Sequence, residues 1–148
     1  MVIERIKKYF DIEELVCRHV YSRFGEKAWD FFDRRLLEVL LFVREGIGKP
    51  IYVNNWQIGG SLSQRGIRCN VCALVQEKSR LEKVYMSTHL QGNGIDFDVK
   101  GMTAEEVRRW IYANRVMLPH KVRLESDVTW VHLDTRNYSN EKVLYFKG

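Results

Sequence analysis

No apolar run in this 148-residue chain is long enough to cross a membrane, for the longest, Leu36 to Val43, is broken by Glu38. An apolar leader is missing too. The opening residues MVIERIKKYFDIEE put charge where a secretory signal has its hydrophobic stretch, so the product is expected to be cytoplasmic when made. There is no block of five or six like charges, no repeat and no low-complexity linker. Cysteine is scarce. Cys17, Cys69 and Cys72 are an odd number, which excludes a simple disulfide framework. Cys69 and Cys72 form half of a zinc-ribbon pattern, CNVC, but no second pair follows. On that basis Cys69 and Cys72 are expected to be ordinary residues.

What is present is the composition of a folded chain. Hydrophobic residues make up 45% and charged residues 29%, which excludes general disorder. The length favours a single domain over residues 1–148, large enough to bury a core without disulfides. The net charge of +5 points toward an anionic partner, either nucleic acid or a cell-wall polymer. Stacking platforms for nucleic acid need aromatics interleaved with basic residues, whereas the aromatics here mostly fall at core-facing positions. Neither nucleic acid nor membrane is therefore expected as a partner.

Periodicity divides the chain into a helical first third and a strand-rich remainder. Asp11 with Glu14 marks a helix start. From about Glu26 to Arg44 apolar residues recur at helical spacing, which predicts the strongest amphipathic helix of the chain, stopped by Gly46, Gly48 and Pro50. Ile51 to Trp56 reads as a strand and Gln57 to Arg68 as a loop, while Val71 to Lys78 is ambiguous. Ser87 to Gly94 is loop-like, and IDFDV after it alternates as a half-buried strand does. Thr103 and Glu106 form a capping box for a helix reaching Asn114; KVRLE, TWVHLDTR and KVLYF read as three strands. The pattern is that of an α+β domain.

Two segments carry chemistry. In Ser87-Thr-His-Leu-Gln-Gly-Asn-Gly-Ile-Asp96, glycines let His89 fold back toward Asp96. In Trp130-Val-His-Leu-Asp134, His132 shares a strand face with Trp130 and Asp134. A buried imidazole needs a polar partner, and a metal held by two histidines and one carboxylate would supply it. Such a set leaves a fourth position for water, as catalytic zinc sites do, and it also suits iron.

Ser87-x-His89-x-x-Gly92-x-Gly94-x-Asp96 resembles the SxHxxGxAxD motif of the zinc D-Ala-D-Ala carboxypeptidases, a family that includes phage endolysins and the peptidase-like domain of hedgehog proteins. Gly94 stands where that motif has a small Ala. Trp130-Val-His132-Leu-Asp134 is similar to the family's second motif, and Ile51 to Trp56 followed by Arg65-Gly66-Ile67-Arg68 resembles its strand and SGYR turn. The matches span Ile51 to Asp134. The resemblance implies a hedgehog/DD-peptidase-like fold, with N-terminal helices packed on a small, mostly antiparallel sheet. It implies one zinc per chain, held by His89, Asp96 and His132, with Arg68 (or Arg65) pairing a substrate carboxylate. The activity implied is hydrolysis of peptide bonds in peptidoglycan stem peptides or cross-links, by a phage or prophage product that reaches the cell wall.

The general base is where the pattern departs. Many members carry an acid three residues before the last histidine, and Thr129 stands there in this chain. Hedgehog-type relatives use a Glu-Ser pair upstream. Glu125-Ser126 looks like that pair, which makes Glu125 the expected catalytic residue, with Asp127 and Asp134 as alternates. Asp98 shares a strand face with Asp96 and is expected to lie at the surface or behind the ligands. The missing acid at 129 leaves open a non-catalytic zinc-containing binding module on the same fold.

Overall fold

The computed structural model describes residues 1–148. Helices α1 (Val2–Ile6), α2 (Ile12–Leu15), α3 (Arg18–Phe24) and α4 (Arg34–Ile47) precede β1 (Ile51–Tyr52). Helix α5 (Ala73–Arg80) comes before β2 (Gly94–Val99), and α6 (Ala104–Ala113) leads to β3 (Val122–Glu125), β4 (Val131–Asp134) and β5 (Val143–Phe146). The fold is α+β. Its five-stranded sheet has the order β1-β2-β4-β3-β5, antiparallel except for the parallel β3/β5 pair. No helix is long and apolar enough to cross a membrane.

The sheet has two chemically distinct faces, because side chains alternate along each strand. Ile95, Phe97, Leu124, Val131 and Leu133 join helix residues such as Leu36, Leu40, Val107 and Ile111 in one contiguous apolar core. The opposite face carries Asp96, Arg123, His132 and Asp134. Cross-strand register sets Asp96 opposite His132 and Arg123 opposite Asp134. One further step in that register brings Glu125 beside His132.

Local chemistry explains where elements begin. Thr103 Oγ1 accepts from the Glu106 N–H at 3.1 Å and Glu106 returns the bond to the Thr103 N–H at 2.7 Å, the reciprocal cap the spacing predicts for α6. The continuous helix expected from Glu26 to Arg44 is instead two pieces, a 3-10 segment Gly25–Phe31 and α4. Asp33 separates them. Its carboxylate caps the Arg35 N–H at 2.8 Å, and its own N–H is taken by the Gly92 carbonyl at 2.9 Å. Hydropathy spacing carries across such a break, so periodicity missed it. The strand expected over Ile51 to Trp56 is likewise only two residues long. Asn54 and Asn55 turn their side-chain amides onto the Val16 carbonyl and the Leu62 N–H, which bends the chain into a loop. The ambiguous Val71 to Lys78 stretch is helical from Ala73.

Candidate metal centre

His89, Asp96 and His132 come together although 43 residues of sequence separate the outer two. All three are buried, and one ligand atom from each lies within 4.8 Å of the others. His89 Nε2 is 3.2 Å from Asp96 Oδ2, and His132 Nδ1 is 2.8 Å from Asp96 Oδ1. A tetrahedral zinc with ligands at ~2.05 Å has edges of ~3.3 Å; the His89–Asp96 distance matches that edge, and the His132–Asp96 distance is that of a direct hydrogen bond.

Each residue of the first motif has a visible task. The Ser87 hydroxyl accepts from the His89 N–H at 3.1 Å and starts the turn. Gly92 has φ +71° and lies directly under the Phe31 carbonyl, so a side chain there meets both strain and a clash. At Gly94 an added methyl would run into Thr88 Oγ1, which explains why glycine replaces the small alanine of the resembled motif.

The outward-facing ring nitrogens are also held. His89 Nδ1 lies 2.8 Å from the Gly66 carbonyl; donation there leaves Nε2 as the lone-pair donor toward the site. His132 Nε2 lies 2.9 Å from Asp134 Oδ2, while Nδ1 faces Asp96. Asp134 is fully buried and takes two bonds from the Arg123 guanidinium, at 2.9 and 2.8 Å, plus the Arg136 N–H at 3.0 Å. It thus holds the outward nitrogen of His132 and does not line the cleft. Burial disfavours charge on His132, but the hydrogen bonds to Asp134 and Asp96 outweigh it and raise its pKa to about 9. Burial likewise pushes the Asp96 carboxyl up, yet the two histidines hold it well below the usual carboxylate range. Asp134→Asn is expected to weaken metal affinity by ~10–100-fold while leaving all three ligands in the chain, measurable by competition with a chromophoric chelator.

Arg68 reaches this centre. Its Nη2 lies 3.6 Å from Asp96 Oδ2, and its other donors go to the Gln64 carbonyl at 2.6 Å and the Tyr85 hydroxyl at 2.8 Å. Arg65 turns away to pair with half-exposed Asp98 at 2.8 Å. Backbone bonds lace this loop in place: Asp96 N–H to Arg65 O at 2.7 Å, Ile67 N–H to Leu15 O at 2.9 Å, and Arg68 N–H to His89 O at 3.2 Å.

Two open clefts meet at Arg68, Asp96 and Trp130. One, of about 410 Å³, is walled by His89, His132 and Glu125; the other, of about 530 Å³, runs past Ser61, Arg65 and Thr129. Glu125 therefore faces the same space as the ligands. Asp127 does not: its carboxylate is 75% exposed and pairs with Lys147 at 3.7 Å.

Two contributions were not read from the sequence. Arg108 on α6 is buried and donates to the Val128 and Trp130 carbonyls at 3.1 to 3.2 Å, anchoring the turn that delivers His132. The second is a group at Cys17, His19, Cys69 and Cys72, whose ligand atoms also lie within 4.8 Å of one another. The chain thus holds two side-chain groups with the composition and spacing to bind a metal ion, where one was expected. Its cysteines are not scattered ordinary residues. Cys17 and His19 lie beside Cys69 and Cys72 in space, although His19 precedes that pair by 50 residues.

No protein-family model, curated protein or solved structure matches this chain.

Proposed function

We propose that the chain is a zinc-dependent peptidase of the hedgehog/DD-peptidase type, acting on peptidoglycan stem peptides or cross-links. The observation that carries the reading is that His89, Asp96 and His132 bring one ligand atom each within 4.8 Å of one another in the wall of an open cleft. A zinc ion held by these three residues would polarise a scissile carbonyl and lower the pKa of a bound water toward ~7. The protein's own part is positional. Gly66 and Asp134 fix the two imidazoles, and Arg123 holds Asp134. Glu125 lines the cleft and is the group available to take a proton from the attacking water and pass it to the leaving amine.

Arg68 gives the site its preference for a carboxylate-bearing substrate. Arg68 lines both clefts; Nε and Nη1 are held by Gln64 and Tyr85, and only a long contact to Asp96 competes for Nη2, which is the donor left for a substrate carboxylate. Arg68→Ala is expected to lower kcat/KM on stem peptides ending in a free D-amino-acid carboxylate by ~10–100-fold, chiefly through KM, which corresponds to one lost charge-assisted contact of ~1.5–3 kcal/mol.

The reading is tested with purified muropeptides. Cleavage that stops on chelation and returns on adding zinc supports it. A folded protein that binds zinc at this site yet leaves every muropeptide intact would favour the non-catalytic module to which Thr129, in place of an acid, first pointed.

A further inference from the structure

We propose that Cys17, His19, Cys69 and Cys72 form a second, structural zinc site, which clamps the start of α3 to the loop carrying Arg68. This group shares no residue with the His89, Asp96 and His132 centre.

The spacing is that of a coordination shell. Cys69 Sγ lies 3.9 Å from Cys72 Sγ, and His19 Nδ1 lies 3.6 Å from Cys69 Sγ and 3.7 Å from Cys72 Sγ. Tetrahedral zinc with bonds of ~2.3 Å to sulfur and ~2.05 Å to nitrogen has S–S edges of ~3.8 Å and S–N edges of ~3.6 Å. A disulfide requires sulfurs at ~2.05 Å, so these thiols are not poised as a bonded pair. Ordinary apolar packing does not account for the group either. Cys17 and Cys72 are buried, but Cys69 is half-buried and His19 is exposed, beside a cleft of about 320 Å³. Three sulfurs and an imidazole gathered at a surface are matched by a soft, tetrahedral cation.

The surrounding backbone is already arranged for thiolates. The Cys69 N–H points to Cys72 Sγ at 3.4 Å, and the Val71 N–H to Cys69 Sγ at 3.4 Å. Such donors offset negative charge on metal-bound sulfur. Loading zinc displaces one proton from each of the three thiols to solvent, and His19 supplies a neutral lone pair. Four protein ligands leave no open position for water, which marks the site as structural.

Its placement gives it a task. The Cys17 N–H bonds the Ile67 carbonyl at 3.0 Å, and Val16 forms a β-bridge with Ile67. Gly66 orients His89, and Arg68 faces Asp96, within the six residues that precede Cys72. The elements here are short: α2 has four residues and α3 seven. A metal cross-link between residues 17–19 and 69–72 would hold what these short helices hold weakly.

The test is cobalt loading of the chelator-stripped full chain, followed by absorption spectroscopy, with zinc content and thiol titration on the zinc-loaded protein. The wild type is expected to bind about two metals per chain and to show the sulfur-to-cobalt charge-transfer band of a tetrahedral thiolate site. His132→Ala should keep that band with one metal. A Cys69→Ser, Cys72→Ser double variant should lose the band and keep one metal. Should that variant fail to fold, the wild-type thiols decide: they should resist a thiol reagent until chelator is added. A folded wild type that shows no such band, and whose three thiols titrate freely without chelator, overturns the proposal. Absence of hydrolysis with the band intact would count only against the peptidase reading.

Discussion

Glu125→Gln is expected to slow hydrolysis of stem peptides by ~10²–10⁴-fold while leaving the metal content unchanged. The amide keeps the size and hydrogen-bonding reach of the carboxylate but cannot take a proton. Glu125 sits at the end of β3, one register step beyond the Leu124–Leu133 pair, and so beside His132. It lines the cleft together with His89, Asp96 and His132. The other acids compete poorly for the role. Asp127 pairs with Lys147 in solvent, and Asp134 is enclosed by Arg123 and His132. The same loss of rate in Asp127→Asn, with Glu125→Gln fully active, would reassign the base.

The second large effect is expected at His132. On the proposed reading His132→Ala removes a ligand and with it the metal of this centre, so hydrolysis should fall to background. Stability should fall as well. Both ring nitrogens face buried carboxylates, Asp96 at 2.8 Å and Asp134 at 2.9 Å. Charge-assisted hydrogen bonds of this kind contribute ~1.5–3 kcal/mol each. The loss is tempered because Asp134 keeps Arg123, and Asp96 keeps His89 and the more distant Arg68. A net cost of ~3 kcal/mol is therefore expected when wild type and variant are compared free of metal, read as a lower midpoint in urea at unchanged slope. An alanine variant of wild-type stability and metal content would remove His132 from the site.

The parts of the fold that were legible in the sequence are those whose signal is local. The Thr103–Glu106 box, the alternation in IDFDV and the three late strands each encode their element within a few residues, and each appears where expected. The break at Asp33 was not legible, because it depends on the Gly92 carbonyl, nearly sixty residues away. Nor was the shortening of β1, which follows from Asn54 and Asn55 bonding to distant backbone.

The candidate site divides in the same way. His89, Asp96 and His132 stood out because glycine spacing and strand alternation allowed a metal site, and the resemblance to the SxHxxGxAxD motif implied these three as its ligands. The fate of the two arginines was not readable, since Arg65 and Arg68 differ only in which acid lies opposite, Asp98 or Asp96. The thiol group escaped for another reason. Its halves lie on two segments joined by the Val16–Ile67 bridge, and no periodicity in either segment foretells that contact.

The measurement that bears most directly on the account is mass spectrometry of a defined stem peptide incubated in ¹⁸O-water with zinc-loaded protein. Two fragments with one heavy oxygen in the newly formed carboxylate are expected from wild type but not from Glu125→Gln or chelated protein. An intact peptide after prolonged incubation, with zinc demonstrably held by His89, Asp96 and His132, would contradict it.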